Sequence, residues 1–298
     1  MRFNKGIILV LIGAGCFGFT PVFAKLGFSY GYSLGQITIV QMLISFLVLW
    51  VLTLLNKRAS FKGVNRKNIL PIIMTGCFVG LTSIFYYGSM QYLPASLAII
   101  LMFQFVWIGI ILDWIFTKVK PAPITVVSII LILVGVFFAS DIITGDIQGL
   151  PIKGFVYGIL SAFTYAGFIF FSGKVAVHVD AWTRTSIMVT GSTILVLVLF
   201  MRDIPTIIPL EGSLVAVAIG VALFGAVLPP LFFTAGAPLI SGGLANILTS
   251  FELPVAILSA SILLSETVTP LQWIGTAIIL GAIALNELGA NYLKRAKT

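Results

Sequence analysis

Charge is what this chain has least of. Asp, Glu, Lys and Arg together make up 9% of 298 residues, while 59% are hydrophobic. Soluble domains carry about 25% charged residues. So few charges cannot cover a water-facing surface around one core, so a soluble globular fold is excluded and a polytopic membrane protein is expected. Histidine occurs once, at His178 close to Asp180. A single histidine with no metal-ligand cluster or serine partner makes no catalytic site, and no metal, cofactor or catalytic residue is expected. The only two cysteines, Cys16 and Cys77, both fall inside apolar runs, where small buried residues are the usual reading rather than a disulfide. There is no ATP-binding P-loop and no Asn-x-Ser/Thr sequon, and every loop between apolar runs is short. A soluble catalytic domain is therefore not expected.

What the chain has is apolar length. Ten segments of bilayer-crossing size can be drawn, at 6–28, 34–55, 68–90, 94–116, 122–140, 152–173, 182–201, 213–236, 240–264 and 270–290. They do not alternate with period two, which excludes a strand barrel. The first begins after Arg2 and Lys5 like a signal peptide, but it runs on to Phe28, too long for an h-region, and reads as a retained helix. Gly13, Gly15 and Gly18 spell a dinucleotide fingerprint without its strand, so close helix packing explains them better. The net charge of +8 lies between the apolar runs and bears on orientation, not on nucleic acid. With the N-terminus inside, fourteen Lys and Arg fall on the inner side, and only Lys25, Lys153 and Arg202 on the outer. Both termini are expected in the cytoplasm.

The chain also repeats itself. Leu97-Ala98 aligns with Leu244-Ala245, Pro123 with Pro270, and Lys25 with Lys174. Five segments is an odd number, so the second copy would enter the membrane upside down, an arrangement common among secondary transporters. The expected architecture is all-α, with ten transmembrane helices in two inverted five-helix repeats, 1–145 and 146–298.

Two stretches, GFTPVFAKLG at 18–27 and FELPVAILSASILLSETVTPLQWIGTAIILGAIAL at 251–285, resemble the drug/metabolite transporter superfamily, of the kind built from two EamA-type five-helix repeats. The resemblance covers nearly the whole chain. It implies a central cavity ringed by helices of both repeats, with the last helix of each at the periphery. The first repeat departs from the pattern, with Trp107 where the second has Pro254 and no counterpart of Glu266, so the resemblance implies a site weighted toward the ninth segment.

That segment, Leu239 to Ser265, carries Asn246, Thr249, Ser250 and Glu252 near its middle. An ionisable group at bilayer depth is costly and by default functional. Pro254 removes a backbone donor and frees a carbonyl one turn earlier; Pro21 does the same in the first segment. Glu252 reads as a proton acceptor, as a counter-charge for a cationic substrate, or as a structural carboxyl bonded to a neighbouring helix. Gln104 and Trp107 would face it across the site, unless Gln104 only bridges helices. Tyr86 with Phe85 and Tyr87, and Tyr165 with Phe168, are candidate cavity aromatics or simple packing. Lys25 ends a helix as an interfacial anchor or, by the resemblance, as a site residue.

The reading is a secondary transporter in the cytoplasmic membrane, exporting small organic metabolites or drug-like compounds by alternating access. Its partners would be a small-molecule substrate, the lipid bilayer and a coupled proton, with the chain a monomer or homodimer. A facilitative channel or lipid scramblase is the alternative. An intramembrane enzyme would need a paired acid or a nucleophile–base pair at one depth, which the sequence lacks.

Overall fold

The computed structural model describes residues 5–57, 59–140, 149–265 and 267–295. Among these the regular structure is helical. The first segment is two helices, α1 (Lys5–Phe17) and α2 (Thr20–Ser29). Next come α3 (Leu34–Leu55) and α4 (Arg66–Met90). The fourth segment is again double, α5 (Ala95–Met102) and α6 (Phe105–Thr117), and α7 (Pro123–Ala139) closes the first half. The second half has α8 (Ile152–Ser172) and α9 (Ala181–Leu199). Its eighth segment is α10 (Gly212–Val221), a π-helical turn (Ala222–Val227) and α11 (Leu228–Gly236). Its ninth is α12 (Gly242–Thr249) and α13 (Glu252–Leu264), and α14 (Pro270–Arg295) ends the described chain.

Nine helical stretches among the described residues are long and apolar enough to cross a bilayer; Pro123–Ala139, at 17 residues, is a shorter apolar helix. Local chemistry sets the boundaries. Ser33 and Gln36 form a reciprocal capping box at α3 (3.1 and 2.9 Å), and Thr269 and Gln272 make the same pair of bonds before α14 (2.9 and 3.3 Å). Asn65 caps α4, and the Asp180 carboxylate caps α9 through the Trp182 and Thr183 N–H groups. Such caps give helix-end donors partners the helix cannot supply.

Packing follows an exchange rule between the halves. The first segment lies on the eighth, and the sixth on the third. The first also meets the ninth, as the sixth meets the fourth. The eighth lies on the second, as the third lies on the seventh. The second pairs with the seventh and the fifth with the tenth. Swapping segments one to five with six to ten exchanges the members of the first three pairs of contacts and maps the last two contacts onto themselves. The outward faces are apolar, with Leu54, Leu55, Ile152, Val198 and Ile262 among the exposed side chains, as a lipid environment requires. The interior collects the polar groups and the aromatics Tyr86, Tyr87, Tyr165, Phe103, Phe105 and Phe233.

Four segments depart from simple rods. The first breaks at Gly18–Phe19, where Pro21 has no N–H for the Phe17 carbonyl. The ninth breaks at Ser250–Phe251, one turn before Pro254, which sits in the first turn of α13. The fourth breaks at Phe103–Gln104, the position equivalent to the ninth, and there the Gln104 side-chain amide donates to the Ile100 carbonyl (3.0 Å). In the eighth, Pro229 and Pro230 offer no N–H to the preceding turn, and a π turn with wider hydrogen bonding takes its place.

Candidate functional site

The broken first and ninth segments meet at their breaks. Gly18 packs on the backbone of α13: a Cβ there would lie 2.6 Å from the Glu252 carbonyl oxygen and 3.0 Å from the Ala256 nitrogen. The Gly18 carbonyl, released by the break, accepts the Ser259 hydroxyl (3.2 Å). Gly13 packs likewise on Phe232 and Pro229, and Gly15 on Phe251. Gly13 and Gly18 therefore serve close helix packing, and Gly15 makes an ordinary contact.

At this crossing stands Glu252, 1% exposed. Among the described residues its hydrogen-bond partner is the Tyr165 hydroxyl, which donates to Oε2 at 3.1 Å. Tyr165 is fixed by aromatic neighbours. It stacks on Phe17 (centroids 5.1 Å apart) and takes Phe105 edge-on (4.8 Å). Phe168 completes the box, and its other edge meets Phe233. The Tyr86 hydroxyl lies within electrostatic reach of Glu252 and has no hydrogen-bond partner among the described residues. A carboxyl out of water with one neutral donor is poorly satisfied as an anion.

A second polar group borders the first. Gln41, buried on α3, donates from Nε2 to the Val221 carbonyl (3.0 Å) and to the Tyr87 hydroxyl (3.3 Å). Val221 directly precedes the π turn. Gly225 in that turn comes so close that a Cβ would touch Gln41, Thr20 and Tyr87 at 3.1–3.3 Å. Gln41 Oε1 and the Thr20 hydroxyl are buried without hydrogen-bond partners among the described residues. A cavity of about 10 Å³ is lined by Phe17, Ser83, Tyr165, Phe168 and Gly225 among others; that is room for about one water molecule.

The other expected residues divide. Asn246 is buried; its Nδ2 donates to the Gly242 carbonyl (2.8 Å) and its Oδ1 is unpartnered, against Gly109. Thr249 spends its hydroxyl on the Ala245 carbonyl (2.8 Å) inside its own helix. Ser250, at the break, is buried, and its hydroxyl, like Asn246 Oδ1, has no hydrogen-bond partner among the described residues. The Gln104–Trp107 pair does not face Glu252. Trp107 is 38% exposed and donates from Nε1 to Gln104 Oε1 (2.8 Å), because the break turns this face outward and the two residues bond to each other. Lys25 is exposed on α2, and Lys174 is exposed with its ammonium 5.9 Å from the Phe170 ring. Phe85 is half-buried against Tyr157. Glu266, and the 145/146 division between the repeats, lie outside the described residues.

Two residues escaped the sequence reading. Gln41 is the one amide in the apolar run ITIVQMLISFLVLWVLTLL that follows the Gln36 cap, a signal that was there to read. Arg184, counted only as an inner-side charge, is 1% exposed. Its Nη1 donates to the Val175 carbonyl (2.8 Å) and its Nη2 to the Thr234 carbonyl, and Nε has no hydrogen-bond partner among the described residues. It ties the seventh segment to the ends of the sixth and eighth.

A bundle of broken apolar helices around a buried carboxyl is the architecture of a membrane transporter. The model of the EamA-like transporter family matches the chain twice, over residues 4–141 and 152–288, and the chain belongs to that family. It is a multi-pass membrane protein. It is 24% identical over 300 residues to the uncharacterized inner membrane transporter YicL of Salmonella typhimurium, covering 98% of each chain. It is 27% identical over 232 residues to the uncharacterized transporter sll1319 of Synechocystis, covering 74% of this chain and 68% of that one. A solved crystal structure at 12% identity shares the fold with a TM-score of 0.77, over 97% of this chain and 99% of the other.

Proposed function

We propose that the protein is a ten-span secondary transporter of the cytoplasmic membrane, exporting small organic molecules by alternating access, with Glu252 as the group that exchanges a proton. The observation that carries this reading is the burial of Glu252 at the crossing of two broken helices, with the Tyr165 hydroxyl as its partner. A carboxyl so placed binds a proton when the site opens to one side and gives it up when it opens to the other.

Three features support two inverted repeats. Contacts follow the exchange rule. The breaks at Phe103–Gln104 and Ser250–Phe251 occupy equivalent positions, as do the left-handed residues Lys118 (φ 60) and Ser265 (φ 55) that close the two segments. The charge asymmetry supports both termini inside, and the printed description of YicL as an inner membrane transporter supports the location. The polar lining that binds substrate is Glu252, Tyr86, Tyr165, Gln41 and Thr20, with Ser250 and Asn246 lower along the ninth segment. A chain that uses a site in this way has no need of catalytic groups, and we read it as no enzyme.

Glu252→Gln keeps the shape and fixes the neutral state. In proteoliposomes, with a substrate found by a ligand-induced thermal-shift screen, it should abolish uptake driven by a pH gradient and leave exchange of substrate down its own gradient. If gradient-driven uptake keeps its normal pH dependence, the assignment fails. Loss of binding at every pH would instead make Glu252 a partner for a cationic substrate.

A further inference from the structure

A cavity far larger than the one beside Tyr165 lies away from Glu252. It is a cleft of about 1060 Å³ between the ends of the first, fourth, fifth, ninth and tenth segments. Small-molecule pockets hold about 300–1,000 Å³, so it is roomy for a compact solute. Its walls are apolar, with Leu244, Leu280 and Ile283 among them. Trp114, Leu239 and Leu288 on its border are 45–54% exposed, which points to hydrocarbon along the open flank rather than water.

The polar groups of the cleft carry both signs. Asp113 and Glu287 line it, and so does Lys120. Asp113 is half-buried on α6. Its Oδ2 accepts the Gly243 N–H (3.2 Å), and its Oδ1 is buried near Gly242 with no hydrogen-bond partner among the described residues, so the carboxylate acts on the cleft through its charge. Asn286 lies deeper, its Oδ1 accepting the Thr125 hydroxyl (3.1 Å), and ties the fifth segment to the tenth. A purely anionic headgroup would meet two carboxylates, and a purely cationic one would meet the lysine. A headgroup with one charge of each sign meets neither penalty.

We propose that this cleft holds one phospholipid of the ethanolamine class, its ammonium toward Asp113 and Glu287, its phosphate toward Lys120 and its acyl chains along the apolar wall. The site is separate from the Glu252 site and does not depend on what the protein transports. An annular lipid bound there would hold α6 and α7 against α12 and α14.

Native mass spectrometry of the detergent-purified protein tests this with dioleoyl-phosphatidylethanolamine and dioleoyl-phosphatidylglycerol. The wild type should retain one ethanolamine lipid with several-fold preference over the glycerol lipid. Asp113→Asn should bring the two to within twofold, and Ala284→Trp, which fills the cleft without changing charge, should lower retention of the ethanolamine lipid at least threefold. Equal or better retention of the glycerol lipid by the wild type overturns the proposal, as does an unchanged preference in Asp113→Asn. Should Asp113→Asn not fold by thermal melting, Ala284→Trp decides alone, and undiminished retention in it overturns the proposal. Glycerophosphoethanolamine, the headgroup without chains, should not displace the lipid at equal concentration; if it does, the cleft is a solute site and the proposal fails.

Discussion

Arg184 illustrates how a single side chain can be mistaken by its neighbours in sequence. It lies four residues past the Asp180 cap and resembles the interfacial charges of the other loops. The fold draws it inside, where its guanidinium has two carbonyls to satisfy and no ion pair among the described residues. A buried cation survives only when its donors are used, and here they hold the chain after α8 to the end of α11. Replacing Arg184 by Met leaves the Val175 and Thr234 carbonyls without that donor and should cost about 3 kcal/mol. Arg184→Lys has no planar fork with which to reach both carbonyls and should lie between Met and wild type. Thermal melting in detergent would rank the three; a Met variant as stable as the wild type would mean the clamp is ornamental. Glu252, by contrast, was legible from sequence, because a carboxylate inside 27 apolar residues has no cheap explanation. Its partner was not, since nothing in sequence says which of eight tyrosines will face it.

At the scale of elements, the breaks decide the geometry. Prolines at 21 and 254 marked two of them in advance. Gly18 is the residue that lets the two broken segments touch. Gly18→Ala would put a methyl 2.6 Å from the Glu252 carbonyl, a backbone atom that cannot step aside. It should lower stability by about 1–3 kcal/mol and weaken gradient-driven transport. Gly15→Ala would meet Phe251 at 3.5 Å, ordinary contact, and should be nearly neutral. Comparable losses in both variants would mean helix flexibility matters here and not the crossing.

Another element-level contact joins the turn between α2 and α3 to the start of α10. The Tyr32 hydroxyl donates to Glu211 Oε2 (2.6 Å) and also bonds Ser213. The bond to Glu211 pushes the Tyr32 phenol above its ordinary value. The folded state thus favours the neutral phenol. This contribution is complete below the ordinary tyrosine pKa of about 10 and is lost as pH rises through the raised value. The contact should hold across the physiological range and release only in alkali. The ultraviolet titration of the wild type should exceed that of Tyr32→Phe by one tyrosine that ionises above its ordinary range; a difference that titrates at the ordinary value would remove the contact as a latch.

For the whole molecule, orientation is the open physical variable. The fourteen-to-three charge count puts Lys62 inside and Leu210 outside, and both side chains are exposed. In a variant without Cys16 and Cys77, an impermeant thiol reagent on intact cells should label Leu210→Cys and spare Lys62→Cys. The reverse pattern would turn the protein over and leave the repeats without their proposed orientation.

The sequence by itself determined the class of molecule, the run of apolar segments, the repeat and the buried carboxyl, because each is a matter of composition or of spacing along the chain. Hydrocarbon thickness and the cost of charge act on segments one at a time. Tertiary structure decided everything that depends on which faces meet. It turned Gln104 and Trp107 outward, drew Gln41 and Arg184 inward, gave Glu252 to Tyr165, and set a π turn beside them. These outcomes rest on helix rotation and on the register of close packing between segments far apart in the chain, and a nearly uniform apolar surface carries no local signal for either.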